Sequence, residues 1–155
     1  MTKKDRDALR AWLDLLTASN AIKKDIDGSL RREFGVSIAR FDVLAALDRA
    51  GDKGLRAGDL TQSLLVTDGA TTQLTAPLIR DGLIKREPCA RDKRAAIFTL
   101  TRNGEKLFRD MAEVHRGWVA RAFAEFSPVQ LETLRDLLGK LDRPNTENHD
   151  GRTAA

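Results

Sequence analysis

The chain is poor in cysteine and aromatic residues and has no long apolar segment. Cys89 is its one cysteine, which excludes an intrachain disulfide framework and suits a reducing compartment. No apolar run approaches the roughly 18 residues of a membrane span, and the charged start from Met1 to Arg10 lacks the apolar core of a secretory signal. These shortages predict a cytoplasmic protein without a membrane partner, of a length that suits one core.

The net charge is small but unevenly distributed. The formal charge is +4 at pH 7, from 27 basic and 23 acidic residues, which alone does not indicate a nucleic-acid partner. Between residues 85 and 109, however, the basic residues outnumber the acidic residues Glu87, Asp92 and Glu105. The basic ones are Lys85, Arg86, Arg91, Lys93, Arg94, Arg102, Lys106 and Arg109. Such a local excess favours a phosphate-facing patch, the alternative being an ordinary solvated surface.

A basic hairpin is predicted at the start of this stretch. Gly82 is placed to close a helix in the left-handed conformation, and Leu83-Ile84 begins an extended run. Residues 96–100 are the predicted return strand, and the loop 86–95 between them is mainly basic. A small basic hairpin behind a helix is the layout of a winged helix, so DNA is the first partner to consider.

Two short helices are predicted before the hairpin. The first runs from about Arg56 to Leu64, and the second from a Thr67 N-cap to about Asp81. Together they form a helix-turn-helix, in which the N-terminal end of the second helix enters the major groove. The candidate DNA-binding residues there are Thr67, Gly69, Ala70, Thr71, Thr72, Gln73 and Ala76. Pro77 lies inside this helix, which must either kink there or reorient its first half.

Amphipathic helices flank this central unit. One is predicted from Asp5 to about Asp27, with Gly28 interrupting or ending it, and another from a Thr101 cap to about Phe126. Ser127-Pro128-Val129-Gln130 is a start signal for a last helix. These helices carry more apolar surface than one packing partner requires. We therefore expect pairing with a second copy, the alternative being that they fold back on their own domain.

Six short motifs from about Ser37 to Gly104 together resemble one known family, the MarR family of bacterial winged-helix regulators. In chain order they are Arg40-Phe41-Asp42-Val43-Leu44, Leu60 with Val66-Thr67, Thr72 with Leu74 and Leu78, Asp81-Gly82-Leu83-Ile84-Lys85-Arg86, Asp92-Lys93-Arg94, and Leu100-Thr101-Arg102-Asn103-Gly104. The resemblance implies a mainly α-helical single domain over residues 1–143 with a small β-hairpin wing. Within it, residues 37–100 form the DNA-binding lobe, and helices 5–27 and 101–143 interlock in a homodimer. The polar tail 144–155 is expected to be disordered.

The same resemblance assigns roles in the wing. It implies that Arg94 enters the minor groove, because a narrow and electronegative groove attracts arginine. Asp92 would orient that arginine through a charge-assisted pair. The remaining wing candidates are Arg86, Arg91 and Lys93. In the preceding helix Thr72 matches the usual threonine, whereas Gln73 and Pro77 depart from the arginine and the charged residue usual in the family.

The resemblance also implies a small-molecule effector. Family members commonly respond to a small aromatic or phenolic ligand bound where the dimer helices meet the DNA-binding lobe. Candidate lining residues are Trp12, Leu16, Phe41, Met111 and His115. The alternative for each apolar residue is an ordinary core position. No cofactor and no metal site are expected, because the two histidines and Cys89 are spread along the chain.

The leading hypothesis is a homodimeric DNA-binding transcriptional regulator, a repressor released from a pseudo-palindromic operator by a small ligand. One alternative is a winged-helix protein-interaction module that does not bind DNA. Another is a thiol-based redox regulator, in which the basic wing lowers the pKa of Cys89, unless this residue merely begins a turn. An enzyme is not expected, because no nucleophile–base pair, carboxylate dyad or phosphate loop can be assembled.

Overall fold

The computed structural model describes residues 2–92 and 95–141, which form six α-helices and three short β-strands. In chain order they are α1 (Lys3–Phe34), α2 (Ile38–Ala50), β1 (Leu55–Arg56), α3 (Ala57–Leu64), α4 (Asp68–Arg80), β2 (Ile84–Pro88), β3 (Ala96–Leu100), α5 (Arg102–Ala122) and α6 (Pro128–Gly139). A 3₁₀ turn, Gly51–Lys53, joins α2 to β1. The chain divides into two units between Ala122 and Phe123, and α6 belongs to the second. The predicted disordered tail, 144–155, lies outside the described residues.

Helix α1 is longer than predicted. Gly28 lies inside it, and the helix ends at Phe34, where Gly35 takes the left-handed conformation with φ 67°. The predicted break at Gly28 is therefore wrong. Glycine costs a helix roughly 1 kcal/mol relative to alanine, but the next turn places Leu30 fully in the core, and that burial outweighs the cost.

The middle of the first unit is organised around α2. Ser37 is the N-cap of this helix. The helix packs against α1, α3, α4, α5 and β3. Because it has neighbours on several sides, its burial is not confined to one stripe: Val43 and Ala46 are buried together with Leu44 and Leu47. The two short helices of the predicted helix-turn-helix therefore rest on a rigid support.

The sheet has three antiparallel strands in the order β1-β3-β2. The predicted hairpin is confirmed, with pairing from Ile84↔Leu100 to Pro88↔Ala96. Strand β2 extends to Pro88, so the loop is residues 89–95 rather than 86–95. Strand β1 was not predicted, because two residues are too few to show an alternating pattern. We call residues 84–100 the wing.

Helix α5 ends at Ala122, four residues before the predicted Phe126. In the second unit, the amide of Phe126 donates to the Phe123 carbonyl at 3.0 Å, and Ser127 forms the predicted capping box with Gln130. A turn thus replaces the last predicted helical turn, and the rings of Phe123 and Phe126 meet across it edge to face with centroids 5.7 Å apart. No helix in the described ranges combines the length and apolarity required to cross a membrane.

Candidate nucleic-acid interface

The turn between α3 and α4 has the geometry of a helix-turn-helix. Helix α3 ends at Leu64, and Leu65 takes the left-handed conformation with φ 54°, which reverses the chain. Thr67 then caps α4 as predicted, since its Oγ1 accepts the amide of Ala70 at 3.2 Å. One of the main-chain amides at the N-terminal end of α4 therefore has a side-chain acceptor.

Thr71 corrects the predicted set of DNA contacts. Its side chain is only 3% exposed, and its Oγ1 lies 2.9 Å from Oγ1 of Thr61 in α3. The same hydroxyl lies 3.2 Å from the Thr67 carbonyl. Thr71 therefore holds α4 against α3, and its buried side chain does not reach a groove.

Gly69, Thr72, Gln73 and Ala76 are exposed on α4. Their spacing of three and four residues places them on one side of the helix, opposite the buried Thr71 and Leu78. Ala70, by contrast, is half-buried, and the hydroxyl of Thr67 already serves as a cap. The face defined by these four residues is called the reading face below.

Arg80 extends the reading face and was missed from the sequence. It follows Ala76 by four residues, and its side chain is exposed beside Asp81, with 3.9 Å between Nε and Oδ1. The helical spacing, continued by one turn beyond Ala76, was the signal that identifies it. Pro77 follows Gln73 by four residues, so it is half-buried beside the reading face, and the helix runs through it without a break from Asp68 to Arg80. The main-chain carbonyl of Gln73 thus lacks its usual helical donor.

The wing presents exposed charges on and beyond its first strand. Arg86 lies opposite Phe98 in the β2–β3 ladder, and Lys85 pairs with Glu87 at 3.2 Å. Arg91 and Asp92 are exposed in the loop. The other two predicted wing residues, Lys93 and Arg94, lie outside the described residues, so the minor-groove role of Arg94 stays a prediction.

Cys89 sits at the base of the wing loop and is buried. Its Sγ lies 3.7 Å from Nη2 of Arg56, a residue of β1. Hydrogen bonds from the main-chain amides of Arg91 and Asp92, followed by the Arg56 guanidinium, lower the pKa of the Cys89 thiol.

The wing is fastened to α5 at the residues after β3. The hydroxyl of Thr101 donates to the Gly82 carbonyl at 2.6 Å and accepts the amide of Gly104 at 3.1 Å. The Thr101 amide donates to the Leu83 carbonyl at 3.0 Å. Gly82 itself has the predicted left-handed conformation, with φ 70°. The end of α4, the wing and the start of α5 are therefore one connected structure.

The candidate effector residues fall into two groups. Phe41 and Met111 are buried in the core, and the half-buried His115 stacks on Phe41 with ring centroids 4.7 Å apart. Burial lowers the pKa of His115, and the Asp42 carboxylate opposes that shift. Trp12 and Leu16, by contrast, are 56% and 40% exposed on α1. Within the described chain, therefore, three of these residues belong to the core region and two to an uncovered surface.

That uncovered surface is an apolar row on α1. Leu9, Trp12, Leu13 and Leu16 follow one another at spacings of three, one and three, so they share one face of the helix, and each is at least 40% exposed. We call these four residues the α1 stripe. Exposed contiguous apolar surface of this kind marks an interaction site.

Known proteins agree with this architecture. The MarR family profile matches residues 34–95, which run from the end of α1 to the wing loop. The HTH-type transcriptional regulator YkoM of Bacillus subtilis is 31% identical over 124 residues, which are 79% of each chain. The chain belongs to the MarR family. Family membership makes it a DNA-binding transcriptional regulator and confirms the predictions of regulator and of non-enzyme.

Two further proteins extend the comparison. The transcriptional activatory protein BadR of Rhodopseudomonas palustris is 29% identical over 138 residues, 87% of this chain and 78% of BadR. The crystal structure of Sco3205, a MarR family regulator from Streptomyces coelicolor, superposes with a TM-score of 0.77 at 24% identity. The match covers 90% of this chain and 86% of Sco3205. The winged-helix fold class predicted for this MarR family chain is confirmed.

Proposed function

We propose that two copies of this chain form a homodimer through interlocking terminal helices and bind a pseudo-palindromic duplex through both reading faces and both wings. The observation that carries the proposal is the reading face itself, an uncovered side of α4 with small and hydrogen-bonding residues on a helix fixed by α2 and α3. Small side chains at Gly69 and Ala76 let a helix approach base edges closely. Sco3205 crystallised in complex with DNA, which supports the same use of this fold here.

The α1 stripe supports the dimer. Its four apolar side chains are 40% to 56% exposed, and covering them contributes on the order of 1 kcal/mol each. We assign dimerisation to α1, α5 and α6, as the sequence predicted for residues 5–27 and 101–143. Two-fold symmetry then places two reading faces about one turn of DNA apart, or a multiple of that distance.

Repression released by a small aromatic ligand is the regulatory mode we propose. The ring of Phe41 and the imidazole of His115 already stack, so an aromatic ligand at the exposed side of His115 extends an existing arrangement. BadR is an activatory protein, which makes activation the contrary outcome. Repression and activation are distinguished by transcription from a promoter that contains the bound sequence. It is measured with and without the protein, and with phenol or benzoate as the added ligand.

The test of DNA binding begins with selection of duplexes from a random pool, followed by titration at several salt concentrations. We expect a two-fold symmetric site and an affinity that falls steeply with salt. Gln73→Ala should lose about 1–3 kcal/mol of discrimination at one base position and keep the salt dependence. Arg91→Ala should leave the sequence preference intact and reduce the salt slope by about one per wing. Absence of duplex binding at physiological salt would contradict the proposal and favour the protein-interaction module.

The thiol-based alternative retains one observation in its favour, the amide and guanidinium contacts that lower the pKa of Cys89. Its test is the affinity for the selected duplex before and after treatment with hydrogen peroxide. A loss in the wild type that Cys89→Ser abolishes supports redox control. An unchanged affinity leaves the aromatic-ligand mode as the proposal. In either mode the protein works in the compartment that holds the chromosome.

A further inference from the structure

A contact between Arg56 and Cys89 joins the start of the helix-turn-helix to the base of the wing. Nη2 of Arg56 lies 3.7 Å from Sγ of Cys89. Arg56 is the last residue of β1 and the residue immediately before α3, whereas Cys89 immediately follows β2. The two residues are 33 positions apart in the chain, so the contact connects elements that the sequence separates.

The register of the sheet explains how Arg56 reaches the wing. Arg56 and Glu87 are both paired with Ile97 of the central strand β3, so they lie on the same face of the sheet. Cys89 follows Glu87 by two residues and returns to that face. The arginine side chain therefore crosses β3, a span of about 10 Å between the outer strands, to the mouth of the hairpin.

Cys89 is also bonded to the wing loop. The main chain of Arg91 and Asp92 contributes to the lowered pKa of the Cys89 thiol. The Cys89 amide donates to the Ala95 carbonyl at 2.9 Å, and the Ala95 amide donates to the Asp92 carbonyl at 3.0 Å. Cys89 is therefore connected through its main chain to the far end of the loop. Cys89 is 6% exposed, so little water competes for these bonds.

Arg56 has N–H donors that its contact with Cys89 does not use. A guanidinium carries five N–H donors, and no ion pair joins Arg56 to a carboxylate among the described residues. Its side chain is exposed apart from this contact. The arginine can thus hold the sulfur and keep its positive charge on the side of the wing that is accessible to solvent.

We propose that Cys89 is the positioning residue of the wing and that its contact with Arg56 connects the wing to α3. Together they fix the direction of the wing relative to the reading face. The part of the DNA affinity that comes from the wing then depends on a hydrogen-bond acceptor at position 89. This inference rests on the proposed binding of DNA by the wing.

The experiment compares two duplexes that share the selected site, a long one with flanking base pairs for the wings and a short one without them. Wild-type protein should prefer the long duplex. Cys89→Ala should bind the long duplex about tenfold more weakly, the scale of one net hydrogen bond, with a flatter salt dependence and no preference for length. Cys89→Ser should keep the preference, because its hydroxyl accepts the same amides.

Variants at Arg56 test its contact with Cys89. Arg56→Ala should reproduce the loss seen in Cys89→Ala, and the double variant should be no weaker than either single one, because both act on one contact. The matched control is Arg49→Ala, which removes the same charge from an exposed position of α2, outside the reading face, the wing and the helices assigned to dimerisation. It should keep the length preference and the wild-type salt dependence.

The possible outcomes separate the proposals. If wild-type protein binds no duplex, the proposed function fails before the wing is tested. If it binds both duplexes alike, or if Cys89→Ala keeps the wild-type preference, the positioning role is overturned. Thermal melting of every variant establishes that it folds. Should Cys89→Ala not fold, Arg56→Ala carries the same test, with rescue by Arg56→Lys expected to be partial at most because lysine lacks the planar fork.

Discussion

Gly104 is the residue on which the junction of the wing and α5 depends. A Cβ atom at this position would overlap the carbonyl oxygen of Leu83, so only glycine lets the first turn of α5 close on the hairpin. The Thr101 hydroxyl, bonded to both Gly82 and Gly104, completes the junction. The position of the wing relative to α5 thus depends on the close approach at Gly104 and on the two hydrogen bonds of Thr101.

We expect Gly104→Ala to lower the free energy of unfolding by about 1–3 kcal/mol, because the backbone must shift to admit the methyl group. Gly117→Ala in the same helix is the matched control. A Cβ there meets no atom within 4 Å and φ is not positive, so the control should gain about 0.5–1 kcal/mol. Urea unfolding of the three proteins gives both values. Equal stabilities for the two variants would contradict the assigned role of Gly104.

His115 predicts a dependence of stability on pH. Burial lowers its pKa in the folded protein, so the unfolded chain takes up a proton first as the pH falls. The stabilising contribution of neutral His115 is therefore complete above about pH 6.5 and is lost as the pH falls through the lower folded pKa. Asp42 retains contact with solvent, yet the surrounding protein raises its pKa, against the charges of Lys23, His115 and Arg49. That carboxylate gives the opposite pH dependence at lower pH.

The measurement is the free energy of unfolding between pH 7.5 and pH 5.5 for wild type and His115→Gln. The variant should lose less stability over this range than the wild type. A wild-type curve that stays flat, or a variant curve of the same slope, would show that the imidazole titrates alike in both states.

Among the elements, helix starts were the features best predicted from the sequence. Thr67 and Ser127 cap their helices as expected, because a cap is a contact between residues three positions apart. Helix ends and the first strand were poorly predicted, because distant contacts decide them. The burial of Leu30 keeps α1 helical beyond Gly28. Leu55 is part of a strand only because it pairs with Phe98.

The candidate site was predicted in position but not in every residue. The whole first part of α4 was assigned to DNA, although its spacing already separates an exposed side from a buried one. Thr71 falls on the buried side and Arg80 on the exposed one. Arg56 could not be found from the sequence, because its link to Cys89 exists only when β1 and β2 pair with the same strand.

Thr71→Val tests how α3 and α4 are held together. The substitution keeps the shape of the side chain and removes the hydroxyl that meets Thr61, so stability should fall by about 0.5–1.5 kcal/mol and DNA affinity with it. Thr72→Val is the control on the exposed side, where stability should change by less than about 0.5 kcal/mol. Denaturant unfolding and duplex titration are both needed. A stable Thr71→Val protein of normal affinity would show that the buried hydroxyl contributes nothing.

At the scale of the whole molecule, we propose that the α1 stripe is the contact between two copies of the chain. Its apolar side chains are the largest uncovered group on a helix that otherwise carries charge. Since an operator with two half-sites requires two reading faces at a fixed distance, a protein that does not dimerise should lose most of its specific affinity.

Leu13→Asp should weaken the dimer by on the order of 3 kcal/mol, about 100-fold, because a charge would enter an apolar contact. Ala18→Asp introduces the same charge on the opposite face of α1, where the residue is exposed, and should leave the dimer intact. Sedimentation equilibrium gives the dissociation constants, and circular dichroism shows whether each variant folds. Dimers of equal strength in both variants would place the interface elsewhere on the chain.

Gly69 gives the reading face freedom to change during evolution. A Cβ there meets no atom within 4 Å and its φ is not positive, and Ala76 is also exposed. We therefore expect new side chains at these two positions to leave the fold untouched. If the reading face contacts DNA as proposed, a duplicated copy of the gene can change its operator by single substitutions here and keep its stability.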